Sequence, residues 1–137
     1  MVTFASDYSF GTANEEKVLP RIEKSLGTKL IHRGGMSIYD FDNGSNIFAD
    51  VKTRRIKHNI YPTALIGANK VKMAAANEDK DFWFFFHYTD GLFRVKYDKD
   101  LFSKYAHYDY KRGDRGDFHN QPADTYFIPY THLEKMI

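Results

Sequence analysis

Apolar positions along the chain change period several times, and each change marks an element. Val18, Ile22 and Leu26 recur at helical spacing with Leu19 beside them, which predicts a helix over residues 13–26. Thr12 followed three residues later by Glu15 has the form of a capping box, and Gly27 supplies the stop. Glu15 lies on the inward stripe, Glu16, Lys17 and Lys24 lean outward, and Pro20 predicts a bend. Residues 29–32 read as a strand, broken by Gly34 and Gly35. Residues 37–41 and 47–53 read as two strands around Asp42, Asn43, Gly44 and Ser45, since Asn-Gly between apolar runs is a hairpin signal. From Pro62 the pattern turns helical as far as residue 76, with Ala64, Ala68, Val71 and Ala75 as a small-residue stripe. Residues 82–86 are continuously aromatic, as in a strand buried on both faces. Thr89, Asp90 and Gly91 make a turn, and residues 92–97 the return strand. The polar stretch 108–124 predicts a long loop, 125–130 a last strand and 131–136 a terminal helical turn.

This order predicts an α/β fold: a mixed sheet with helices on its faces. The length of 137 residues suits one domain. Composition narrows the class further. Hydrophobic residues at 42% and charged residues at 28% are globular proportions, and 12 Phe with 10 Tyr can fill a core that is poor in aliphatics. The absence of Cys excludes a disulfide scaffold, a thiolate zinc site and a Cys nucleophile. No apolar run approaches the 18 or so residues of a membrane span, and the first ten residues lack a secretory pattern, so a soluble intracellular protein is the expectation.

Candidate chemistry is concentrated in residues 38–52. Asp50 and Lys52 are two apart on a strand and so project from one face, between Phe48, Ala49 and Val51. Charges in such a strand cost several kcal/mol each unless they pair or bind a metal. Asp40 lies across the turn. Two converging carboxylates need a cation, and hard divalent ions take oxygen ligands of this kind. A neighbouring Lys can stabilise negative charge or orient a water. The register decides the pairing: a tight Asn43-Gly44 turn sets Ser37 opposite Asp50, whereas a turn centred near Ser45 sets Asp40 there. Asp42 is the rival to Asp40 but suits a turn residue that bonds local backbone. Glu16 is the alternative to Glu15 if the helix register shifts by one.

Asp40, then Asp50-Val51-Lys52 on the next strand, then a helix crossover, all preceded by Gly11 and Glu15 in a helix, resembles the PD-(D/E)XK nuclease superfamily. Tyr39 stands where the family usually has Pro. The resemblance covers residues 11–97; residues 98–137 are an extension outside it. It implies a restriction-endonuclease-like αβββαβ core. It further implies magnesium or manganese bound by Asp40, Asp50, the Val51 carbonyl and Glu15, with Lys52 on the scissile phosphate or the attacking water. The activity implied is hydrolysis of DNA phosphodiester bonds, with RNA left open, by an endonuclease of the kind found in phages. Structure-selective cutting suits so small a domain, and a homodimer is expected by analogy.

Arg54 and Arg55 directly follow the Asp50 strand and would meet a phosphate backbone. Lys70 and Lys72 lie on the second helix, and one of them is a candidate substrate contact. Lys111, Arg112 and Arg115 form a second basic cluster, near Tyr105, Tyr108 and Tyr110. Histidines 32, 58, 87, 107, 119 and 132 show no metal-ligand spacing and read as ordinary surface or core residues. The alternative reading is a non-catalytic nucleic-acid-binding module on the same fold. A third, an interaction protein of unrelated α/β fold, requires that Asp40, Asp50 and Lys52 do not converge.

Overall fold

The computed structural model describes residues 4–35, 37–110 and 123–136, with side chains from Glu15 onward. The chain runs α1 (Phe4–Leu26), β1 (Ile31–His32), β2 (Phe41–Asp42), β3 (Ile47–Thr53), β4 (Thr63–Gly67), α2 (Ala68–Ala76), β5 (Asp81–Tyr88), β6 (Gly91–Lys96), α3 (Lys99–Phe102), β7 (His107–Tyr110), β8 (Ala123–Pro129), a 3-10 turn and β9 (Glu134–Lys135). A six-stranded mixed sheet has the order β1-β2-β3-β5-β6-β9, and a three-stranded antiparallel sheet the order β4-β8-β7. Among the described strand pairs only β3 and β5 run parallel, so β4 and α2 lie within the crossover between them.

The aromatic run of β5 explains the layering. Phe82, Phe84, Phe86 and Tyr88 point to one face and join Ala64 and Ile66 of β4, Val71 and Ala74 of α2, and Ile128 of β8. Phe85 points to the other face and joins Val18 and Ile22 of α1, with Ala49 and Val51 of β3. Both faces of the central strand are therefore covered, which is why it carries no polar alternation. Each fully buried Phe contributes roughly 2–3 kcal/mol of transfer free energy.

Several elements differ from the sequence expectation. The helix α1 begins at Phe4, so Thr12 lies inside it and does not cap it. Gly11 does not stop it, since one Gly in a helix costs only about 1 kcal/mol. Its end is as expected: Gly27 takes φ +69° and donates to the Glu23 carbonyl at 2.8 Å. The expected helix over 62–76 divides in two. Thr63–Gly67 is a strand whose Ala64 and Ile66 face the core, and the helix starts only at Ala68. The strand expected over 37–41 shrinks to Phe41–Asp42. The loop expected over 108–124 begins and ends as paired strands, β7 and β8; residues 111–122, with Lys111, Arg112, Arg115 and His119, lie outside the described residues. The turn over 131–136 is a short 3-10 turn, Tyr130–His132, followed by β9. The described strands after residue 98 are integrated into the fold, since β8 pairs with β4 and β9 extends the main sheet. Among the described residues, no helix is long and apolar enough to cross a membrane.

Candidate active site

The site forms where β2 and β3 stop pairing. The loop between them is held by Asn43, whose carboxamide oxygen accepts from Ser45 N–H at 2.9 Å and Ile47 N–H at 3.0 Å. Gly44 adopts φ +78°, a conformation that favours glycine, and its N–H donates to Asp42 Oδ1 at 2.8 Å. The loop sets the register Phe41 opposite Ala49, and continuing it places Asp40, not Ser37, opposite Asp50. The ladder stops there. Val51 N–H donates to the Asp40 carboxylate at 2.9 Å. In an extended strand both main-chain groups of a residue face the same edge, so the Val51 carbonyl looks into the same gap. Asp42 takes the turn role expected of it and also holds Arg33 through two bonds of 2.7 Å.

Asp50 is only 3% exposed. It shares its sheet face with Phe84, its neighbour on β5, and this is the face covered by α2. Lys70, the third residue of α2, reaches down and bonds Asp50 Oδ2 at 2.5 Å. The second oxygen, Oδ1, is buried and has no hydrogen-bond partner. Burial and the nearby Asp50 charge push Asp40 up to about 8, against a smaller opposing effect of the Val51 N–H. Asp40 is thereby biased toward its neutral form beside Asp50. The Lys70 ammonium lies on one of the two converging acids, and burial disfavours charge on the other. An orphaned acceptor of this kind is an expensive thing to bury, and it fits a site built for a cation.

Glu15 approaches from α1, and its carboxylate lies 3.3 Å from His32 Nε2. Burial raises its pKa, with Asp50 adding to the rise and His32 opposing it, so Glu15 stands within electrostatic reach of the pair. Glu16, the alternative register, is exposed. Lys52 lies two residues beyond Asp50 on the same face and is half-buried. Arg54 continues the strand by one bond, its N–H donating to the His87 carbonyl at 2.9 Å. Arg55 and Lys72 are exposed. The neighbouring basic residue His58 is bound to Asp90 at 2.6 Å and stacks on Phe93 at 4.3 Å, so it serves to pin its loop to the β5–β6 turn. The structure thus brings together Asp40, Asp50, Val51 and Lys70, with Glu15 in electrostatic reach and Lys52 two residues along the Asp50 face. Among the described residues, no group of three or more His, Cys, Asp or Glu closes into a ready-made metal cluster.

Two partners in this site were not visible from sequence. Tyr39 is 1% exposed, and its hydroxyl donates to the Lys70 carbonyl at 2.7 Å. Tyr39 thereby anchors the start of α2. A Tyr among apolar neighbours that needs a partner for its hydroxyl was the available signal. His32 beside Glu15 had none, because the contact joins two separate elements. No family model, curated protein or solved structure matches the chain.

Proposed function

We propose that the protein is a metal-dependent endonuclease of PD-(D/E)XK type that hydrolyses phosphodiester bonds in DNA. One observation carries the reading: a buried carboxylate, Asp50, with an unpartnered oxygen, meets Asp40 at the gap between two strands, with a Lys two residues on. Asp40, Asp50 and the Val51 carbonyl would hold magnesium or manganese, with Glu15 reaching it through water. Two carboxylates and one carbonyl suit magnesium, which keeps several of its waters. The bound ion would lower the pKa of a water and neutralise charge building on the phosphate.

The chain's own residues supply the rest. Asp40 would hold the ion as its carboxylate, because ligating carboxylates are ionised. The Lys52 ammonium, on the Asp50 face, orients the attacking water or donates to a non-bridging phosphate oxygen. Water adds to phosphorus and the P–O3′ bond breaks, leaving a 5′-phosphate and a 3′-hydroxyl. Arg54 and Arg55, just past the end of β3, and Lys72 on α2 would hold flanking phosphates. The order α1, three strands, a crossover and β5 supports a restriction-endonuclease-like core, with the added strand β4 standing before α2 in the crossover.

The test is cleavage of supercoiled and branched DNA with magnesium or manganese, and its arrest by a chelator. Lys52→Ala sharply slows cutting and leaves DNA binding intact. Retention of DNA with no cutting under any metal would instead select the binding-module reading.

A further inference from the structure

We propose that Lys70 is a built-in counter-ion: it occupies Asp50 in the metal-free protein and leaves it when a divalent cation is bound. The inference rests on the metal-site reading above and adds how the empty state of that site is maintained. Asp50 is too deeply buried to stand alone, and the Lys70 ammonium lies on its Oδ2. An ammonium is an incomplete substitute for a divalent ion. It carries half the charge, and Asp50 Oδ1 remains without a partner.

The placement is built. Lys70 belongs to the first turn of α2, directly after β4. The Tyr39 hydroxyl holds its main-chain carbonyl at 2.7 Å, and Tyr39 is the residue before Asp40. The strand that carries one acid therefore fixes the origin of the cation that covers the other. The side chain also has an exit: 19% of it is exposed, against 4% for Asp50, and the ammonium is carried on a flexible four-carbon stem. Released from Asp50, it stays on the same face as Lys52, where an incoming phosphate would take its charge.

A competitor and a positioning residue give opposite signs on removal. If Lys70 competes for Asp50, Lys70→Met tightens manganese binding by about tenfold, as expected when one close like charge is removed. If it only orients Asp50, the same change weakens binding. Manganese affinity is read from the electron paramagnetic resonance signal of the free ion, and needs no substrate. Lys70→Arg, which retains the charge, should not tighten binding. Where Lys70→Met fails to fold, the wild-type protein answers the question. In chelator, the Lys70 ammonium gives a protected nitrogen-15 NMR signal that Asp50→Asn removes. Magnesium should shift the Val51 amide and abolish the ammonium signal together. A shifted Val51 amide with an unchanged ammonium signal, or unchanged or weaker manganese binding by Lys70→Met, overturns the counter-ion. A wild-type protein that binds neither ion overturns the metal site itself.

Discussion

Asp40→Asn should make the metal-free protein more stable, by an amount that grows with pH. Asp40 sits against Asp50, and burial lifts its pKa from 3.8 to about 8. Below pH 4 the acid is protonated both folded and unfolded, and it costs nothing. Between pH 4 and 8 the unfolded chain releases the proton and the folded protein retains it. Stability therefore falls as pH rises, by up to ~1.4 kcal/mol per unit. Above about 8 the folded protein loses the proton too and the cost levels off. Relaxation around a half-buried group reduces the total to roughly 2–3 kcal/mol at pH 8. Asparagine is nearly isosteric with the protonated acid: its oxygen can accept from Val51 N–H and its amide can donate to Asp50. Urea unfolding in chelator, from pH 4.5 to 8.5, gives the comparison. The two proteins should match at the acid end and diverge toward pH 8, with the variant ahead. Saturating magnesium should then stabilise only the wild type, by about 2.7 kcal/mol at a hundred times its dissociation constant. Parallel pH profiles, or a variant that is weaker at pH 8, would refute the shared-proton geometry.

The remaining predictions concern the phosphate side and the core. Lys52→Ala should lower the cleavage rate on the order of 10²–10³-fold at saturating metal, the usual loss for one charge-stabilising donor, with DNA retention in a gel shift unchanged. Replacing Arg54 and Arg55 together by Ala should weaken DNA binding independently of sequence and reduce the salt slope of log K by about 2. Phe84→Ala, at the β5 position beside Asp50, should cost ~3–5 kcal/mol in urea unfolding through the cavity it leaves.

Much of the site was legible because local signals fixed it. Asn43-Gly44 announced the hairpin, and the odd charges on β3 announced the acid pair. The register was not fixed by the dipeptide alone. Asn43 bonds two N–H groups across its loop, and this wider loop selects Asp40 over Ser37. The start of the second helix is ambiguous in sequence because Ala64 fits both periods: with Ala68 and Val71 it makes a helical stripe, and with Ile66 a strand face. The decision lies with β8, whose Ile128 pairs opposite Ala64 from more than sixty positions away. Lys70 and Lys72 looked alike in sequence for a related reason. Which of them turns inward depends on where α2 begins, and that follows from β4. Nothing near Glu15 announced His32, since the contact spans two layers.

The pairing of β4 with β8 has a consequence for biosynthesis. A nascent chain that has emerged only as far as β6 already carries Asp40, Asp50 and Lys52, yet β4 has no partner strand and α2 lacks the support of Ile128 beneath it. Lys70 then has the Tyr39 hydroxyl on its carbonyl but lacks the β8 residue that packs with its helix. The covering of Asp50 therefore gains its full support only once residues 123–129 are available to pair with β4, so synthesis order delays completion of this face.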